Sequence, residues 1–474
     1  MSRYHYERLS AESASHLLVE GARSFTHTLS ILLFEAGPLE AAGGGIDFDR
    51  IARGIEARLH LTPRFRQRLK WIPYENYPVW VDDAEFNLDY HVRHTSLPHP
   101  GGSVQLRKLI ARLMSSRLHR SRPMWECWVV EGLEGGRFAL ICKVHNCMVE
   151  SDSGADLFQT MLSTRPDDDL GEPPPLSTRP MPSGLELVRD EVFRRFSLPR
   201  QLFGRVQAMA RDSGGLRAEL AKRFDAAAKL FGYSVVRPRA TPINGRLGPH
   251  RRFDDVVLPL DRVTAIHRAF DCTVHDAVLA VLCRALRSFL QAQLVHPASL
   301  DLRVSTPVQV PADPGREEVH EWVIELPVWQ DDPAQMIDMI RERTRAAYES
   351  DPALGARSLF SVAKWSGSRL LTLAARSLST HTPVNLSLVN LPGSQDPLYF
   401  LGAKLGEAYG SAPLRGEQGV SVSAISYDGK LCIGINADYD LVPDVAKLGS
   451  AMVHALDELS QVRRRRRRLA AVEG

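Results

Sequence analysis

No stretch of this chain reaches the run of about 18 apolar residues that a membrane-spanning helix requires, so a transmembrane protein is not expected. Cysteine is scarce: there are six in 474 residues (Cys127, Cys142, Cys147, Cys272, Cys283 and Cys432), with no C-x-x-C pair. Isolated cysteines inside apolar stretches read as reduced thiols of a cytoplasmic protein, not as a disulfide framework. No Cys/His cluster has metal-ligand spacing, so neither a metal nor a cofactor is expected. Met1 to Glu20 is polar and charged, unlike a signal peptide. No internal repeat is visible. Positive charge is also thin outside one place. The formal net charge is +3, and Arg463 to Arg468 alone supply six positive charges, which leaves −3 for the remainder. Nucleic-acid-binding domains carry basic stripes across a folded face, so that partner is not expected.

What is present is ordinary for a globular protein with a sizeable core: 44% hydrophobic and 24% charged residues. The length favours two or three domains. Residues 1–162 alternate between helix and strand signals. Leu29–Phe34 is a short apolar run suited to a buried strand. Val104–Leu118 spaces Leu106, Leu109, Ile110, Leu113 and Met114 as an amphipathic helix. Trp128–Val130 and Phe138–His145 predict strands joined by a hairpin at Glu134-Gly135-Gly136, and Asp152–Leu162 predicts a helix. Residues 163–250 form a Pro- and Arg-rich crossover, opening on a Pro/Asp-rich linker. A second half, 251–460, begins with the strongly apolar helix candidate Val274–Leu290. It continues with strands at Leu302–Val310, Trp322–Val328, Val384–Val389, Val420–Ser426 and Leu431–Asn436, and closes with a helix at Val442–Leu459. Residues 461–474 form an Arg-rich tail. The pattern predicts an α/β protein of two halves joined by a crossover.

Several separated segments carry a family likeness. Pro123-Met124-Trp125-Glu126 precedes Val130-Glu131-Gly132-Leu133. Gln67–Leu69 and Pro78-Val79-Trp80-Val81-Asp82 lie upstream. Asn390-Leu391-Pro392-Gly393, Pro397-Leu398-Tyr399, Gly402–Leu405, Ser426-Tyr427-Asp428-Gly429 and Val442-Pro443-Asp444 follow in order. Over about residues 5–460, linker apart, the chain resembles the bacterial wax ester synthase/diacylglycerol acyltransferase family. The resemblance implies two chloramphenicol-acetyltransferase-like (condensation-domain-like) domains with a tunnel at their interface. It also implies acyl transfer from acyl-CoA to diacylglycerol or a long-chain alcohol, with acyl-CoA as substrate or ligand.

That family's signature is His-His-x-x-x-Asp-Gly, and its second His is taken as the general base that removes the acceptor's hydroxyl proton. Here the segment reads His145-Asn146-Cys147-Met148-Val149-Glu150-Ser151. Asn146 occupies the base position, and an amide has no basic lone pair near neutral pH. Glu150 and Ser151 replace Asp and Gly. The family's Pro-Val-Ser-x-Arg segment appears as Pro307–Pro311 without its Arg, its Asn-Asp pair as His275-Asp276, and a Gly-Asn pair loosely as Val319-His320.

Each candidate has two readings. His145 either takes a catalytic part or orients the end of its strand. Cys147 reads as a packing thiol, since it lacks an evident activating cation. Glu150 would keep a carboxylate's structural role. His275 either relocates the lost base across the tunnel or simply opens its helix. Arg463, Arg464, Arg465, Arg466, Arg467 and Arg468 form either a solvated tail or an attraction for anionic lipid headgroups. Two functions stay open on this footing. One is a slow or altered O-acyltransferase. The other is a non-catalytic acyl-CoA- or lipid-binding relative, or a partner of an active paralogue. The expected location is cytoplasmic, with attachment to the inner membrane or lipid inclusions left open.

Overall fold

The computed structural model describes residues 4–149, 160–167, 178–194, 241–297, 300, 302–311, 317–350 and 384–473. In the first half the chain runs β1 (Glu7–Arg8), α1 (Ala11–Val19), β2 (His27–Glu35), α2 (Phe48–Arg58), β3 (Gln67–Ile72), β4 (Tyr77–Asp82), β5 (Val92–Ser96), α3 (Ser103–Met114), β6 (Trp125–Leu133) and β7 (Arg137–His145). A 3-10 turn, Asn146–Met148, follows β7 directly. The second half runs β8 (Arg251–Pro259), α4 (Leu260–Phe270), α5 (Val274–Ala292), β9 (Leu302–Pro311), β10 (Glu317–Leu326), α6 (Pro333–Ser350) and β11 (Leu386–Pro392). It ends with β12 (Tyr399–Phe400), β13 (Ala403–Ser411), β14 (Val420–Tyr427), β15 (Lys430–Asp438) and α7 (Val445–Glu473).

Two six-stranded sheets carry the fold, ordered β12-β13-β2-β7-β6-β5 and β10-β9-β11-β14-β15-β8; β1, β4 and β3 form a small third sheet. The near-continuous apolar runs of β2 and β7 follow from burial of the first sheet on both faces. Leu29, Ile31, Leu33, Ala139 and Ile141 point toward Leu106, Ile110 and Leu113 of α3. Leu32, Phe34, Phe138, Leu140 and Cys142 point the other way, into a core with Trp80 and Trp125. Trp125 donates its indole N–H to Phe65 O at 2.7 Å, so its one polar atom is satisfied while the ring is buried. The C-terminal carbonyls of α3 are capped by the buried Lys143 of β7, which reaches Leu113 O at 2.9 Å and Ser116 O at 2.6 Å. In the second half α5 is apolar nearly all round, and it is sunk between the sheet and α4, α6 and α7.

The division into halves at 162 and 251 needs one refinement. Strand β13, from the second half of the sequence, pairs antiparallel with β2 of the first sheet, Tyr409 opposite Ile31. Side chains of β14 and β15 then grip it. Ser421 Oγ and Asn436 Nδ2 both donate to Ala412 O, at 2.7 and 2.8 Å, and Tyr427 OH donates to Leu405 O at 3.0 Å. Ser423 donates to Gly410 O. Gly434 makes this approach feasible, because a Cβ there would sit 2.1 Å from Gly410 O.

Two sequence expectations change. The closing helix does not stop at Leu459: α7 continues through Arg463–Arg468 to Glu473, so the expected tail is a helical extension. Arg53–Leu69, whose helical spacing in the sequence is interrupted at Pro63, divides into a helix ending at Arg58 and strand β3 from Gln67. The helix expected at Asp152–Leu162 and most of the 163–250 crossover lie outside the described residues. All six cysteines are buried and outside disulfides. No helix among the described residues is long and apolar enough to cross a membrane.

Candidate functional site

The end of β7 sets the site. His145 is 1% exposed, and its own N–H donates to Met124 O at 3.0 Å. Its Nδ1 accepts the Cys147 backbone N–H at 3.1 Å, capping the turn that follows. A neutral ring whose Nδ1 is an acceptor carries its proton on Nε2. That nitrogen lies 3.0 Å from Thr26 Oγ1, and the Thr26 hydroxyl in turn donates to His16 O at 2.9 Å. Both nitrogens of His145 are therefore engaged within the protein, and neither offers a free lone pair. The ring orients the strand end and the turn.

Glu20 completes this inner shell. Its Oε1 stands 3.7 Å from His145 Nε2, and its Oε2 receives Arg120 at 2.6 Å. Burial alone would push the Glu20 carboxyl up, but the hydrogen bonds of His145 and Arg120, with the Arg120 charge, outweigh it and pull the group down to about 2.

Asn146 lies half-buried beside it. Its N–H donates to Thr26 O at 2.8 Å, and its Oδ1 accepts the Thr28 hydroxyl at 2.8 Å. With Oδ1 engaged, the amide presents Nδ2, a donor only. Among the described residues Nδ2 meets no acceptor. Cys147 is fully buried among apolar neighbours. Glu150 lies outside the described residues.

His275 sits at the second position of α5, whose N-cap is Thr273, not His275. Thr273 and Asp276 form a reciprocal capping box, with bonds of 3.0 and 2.8 Å. His275 Nδ1 accepts from Asn390 Nδ2 at 3.3 Å, while its Nε2 is buried without a partner. Burial pushes its ring pKa down despite the adjacent Asp276. The ring is thus tied to β11, and no hydrogen bond joins it to Asn146. Asn390 gains a contact to His275 that its place in a tetrapeptide did not suggest. Gly393 lies where a Cβ would fall 2.2 Å from Ser426 O, so β11 can close on β14 only with glycine there. Pro123 is buried at the entry to β6, Pro392 is exposed at the end of β11, and Glu126 accepts from Trp128 Nε1 at 3.1 Å.

The halves meet beside the site. Ser24 Oγ lies 3.4 Å from Leu414 O, and Arg107 of α3 pairs with Asp254 of β8 at 2.8 Å. A small cavity of about 10 Å³ lies on the seam, lined in part by Phe25, His27, Arg251 and Asn436. Glu20, Thr26, Thr28 and His16 were missed from sequence. The available signal was the helical spacing of His16 and Glu20, one turn apart on one face.

Comparison with known proteins agrees with this architecture over nearly the whole chain. The family model described as the wax ester synthase/diacylglycerol acyltransferase catalytic domain matches residues 9–278, and the C-terminal domain of the same family matches 319–460. Two Mycobacterium tuberculosis proteins named as diacylglycerol O-acyltransferases are 31% and 30% identical. They cover 96% and 90% of this chain, and 90% of each relative is matched. A wax ester synthase/diacylglycerol acyltransferase structure from Marinobacter aquaeolei superposes with a TM-score of 0.67 at 23% identity, covering 96% of this chain and 99% of that one. The first condensation domain of the CDA synthetase shares the fold at a TM-score of 0.54 and 14% identity, over 96% of each chain. A two-sheet frame bridged by a borrowed strand, matched along its length by one family, settles the assignment: this chain belongs to the wax ester synthase/diacylglycerol acyltransferase family.

Proposed function

We propose that this protein is an acyl-CoA-dependent O-acyltransferase of wax ester or triacylglycerol synthesis whose transfer step is slow. The reaction would join the acyl group of acyl-CoA to the hydroxyl of diacylglycerol or a long-chain alcohol. The acceptor oxygen attacks the thioester carbonyl, the C–S bond breaks, and CoA leaves with the proton. The observation that carries the reading is Asn146. It holds the motif position of the base, and Thr28 fixes its amide so that it presents Nδ2. Such a group can donate to the acceptor oxygen but cannot take its proton. Loss of a positioned base typically costs about 10²–10⁴ in rate.

The test is transfer from palmitoyl-CoA to hexadecanol or diacylglycerol by the purified protein, beside Asn146→His. Weak turnover that rises about tenfold or more in the variant supports the proposal. Robust turnover in the unmodified protein overturns the loss-of-base argument. A second reading, a non-catalytic acyl-CoA- or lipid-binding relative or partner of an active paralogue, is favoured by the engagement of both His145 nitrogens. It predicts acyl-CoA binding with no turnover in either form.

A further inference from the structure

Cys127 of β6 and Cys142 of β7 stand directly opposite each other in the antiparallel pair. Two backbone bonds decide what kind of opposition this is. The Cys127 N–H donates to His91 O at 2.7 Å, so its backbone groups point toward β5 and away from β7. At the strand end the His145 N–H donates to Met124 O at 3.0 Å. Counting back along the register from there makes Glu126–Lys143 a hydrogen-bonded pair and Cys127–Cys142 a non-hydrogen-bonded one. Both routes agree. A non-hydrogen-bonded pair is the narrow kind, about 4.5 Å between α-carbons with the side chains drawn together. That spacing lies within the range a disulfide spans.

The sulfurs follow the backbone. Cys127 Sγ and Cys142 Sγ lie 3.6 Å apart. They are 0% and 1% exposed, in the core that also holds Trp125, Phe138 and Leu140. The next pair toward the site is Trp125–Val144, and beyond it Met124 O receives the His145 N–H. The thiol pair therefore ties the same two strands whose ends carry His145 and the Asn146–Met148 turn.

We propose that Cys127 and Cys142 are a modification site: a dithiol that a hydroperoxide closes into a cross-strand disulfide, latching the strand end beneath His145 and Asn146. The thiolate of one cysteine attacks a peroxide oxygen, the O–O bond breaks, and the leaving oxygen takes up a proton. The sulfur keeps the other oxygen as a sulfenic acid. The facing sulfur then attacks it, the S–S bond forms, the S–O bond breaks, and the released hydroxide takes the second thiol's proton as water. The two sulfurs lose two electrons and the hydroperoxide gains them. Burial selects this oxidant class. The thiols meet solvent only when β6 and the edge strand β5 open locally, and a sulfenic acid adds one oxygen where a mixed disulfide would add a whole second molecule. Once closed, the bond limits separation of β6 from β7, and with it local opening at residues 145–147. None of this depends on whether acyl transfer occurs.

The experiment treats the full chain with hydrogen peroxide and then with dithiothreitol. Wild type is compared with Cys127→Ala, Cys142→Ala and Cys147→Ala, with folding checked by circular dichroism. Cys147 shares the same buried core and is the competing thiol. Oxidised wild type should lose about 2 Da in intact mass, and peptide mapping should find Cys127 joined to Cys142. Dithiothreitol should reverse the change. Cys147→Ala should oxidise as wild type does, whereas Cys127→Ala and Cys142→Ala should form no such bond. In hydrogen–deuterium exchange the amides of residues 145–147 should exchange about threefold or more slowly in the oxidised chain, a difference absent from Cys127→Ala. Peptide mapping and exchange of the wild-type chain decide the matter even where an alanine variant fails to fold. A disulfide between other cysteines, or sulfinic acid at Cys127 or Cys142 with no disulfide, overturns the site. A Cys127–Cys142 disulfide that leaves exchange at residues 145–147 unchanged overturns the latch.

Discussion

Thr28 donates its hydroxyl hydrogen to Asn146 Oδ1 at 2.8 Å, and this one bond decides which end of the amide faces away from β2. Without it the Asn146 side chain could rotate by half a turn and present its oxygen. Thr28→Val keeps the branched shape and the strand preference but removes the donor. A single neutral hydrogen bond contributes about 0.5–1.5 kcal/mol, so turnover or acyl-CoA affinity should fall roughly two- to tenfold, with stability changed by no more than that amount. Steady-state kinetics and isothermal titration with palmitoyl-CoA check it. No change in either would mean that the amide's orientation does not matter to the ligand.

The Glu20 carboxylate gives a pH signature. Its folded pKa is held near 2, below the ordinary value of 4.5. A depressed carboxylate contributes stability that is fully present above the unfolded value and is lost as pH falls through the folded one. Stability should therefore drop between about pH 4.5 and pH 2, by on the order of 3 kcal/mol from this group. Glu20→Gln should flatten that portion of a urea-denaturation series taken against pH. A variant with the same acid slope as wild type would show that Glu20 is not the responsible group.

These two bonds show what sequence could and could not reveal. The apolar runs of β2 and β7 announce buried strands, and the tetrapeptides around Trp125 and Asn390 mark the frame, because burial and tight turns constrain neighbouring residues. The place of His145 and Asn146 at the end of a strand was legible for the same reason. Thr28 lies 118 residues from Asn146, and Glu20 meets His145 across a similar gap, so only tertiary folding reveals either partner. The pairing of β13 with β2 is equally non-local. At α7 the failure was local. Six arginines interrupt the apolar spacing, yet arginine is a good helix former, and the helix continues through them.

Gly434 tests the junction of the halves. A methyl group there would lie 2.1 Å from Gly410 O and 3.2 Å from Ser423 Oγ, a clash with backbone that no rotamer change relieves. Gly434→Ala should push β15 away from β13 and strain the Ser423 bonds to Gly410 O and Gly434 O. Overpacking of this kind costs about 1–3 kcal/mol. The expected readouts are a lower urea midpoint and faster proteolysis. Gly429→Ala is a useful comparison, since no atom lies within 4 Å of a Cβ there, although its positive φ carries its own cost. Equal stability of Gly434→Ala and wild type would mean that the strand contact is looser than the structure describes.

The last prediction concerns the arginine run. Val462 still packs partly against the second core, and the helix continues for eleven further residues, about 16 Å at 1.5 Å per residue. Arg463–Arg468 are six consecutive charges with no apolar residue among them. Such a segment cannot insert as an amphipathic helix; any attraction to a bilayer must be electrostatic. Each basic residue near an anionic surface is worth about 1 kcal/mol and is screened beyond about 10 Å at 0.1 M salt. Deletion of residues 463–474 should weaken sedimentation with phosphatidylserine vesicles by tenfold or more at low salt, and the difference should shrink as salt rises. Neutral phosphatidylcholine vesicles should not distinguish the two forms, and the denaturation midpoint should stay close to that of the full chain. Equal binding with and without the extension would leave the arginines no part in drawing the chain to an anionic surface.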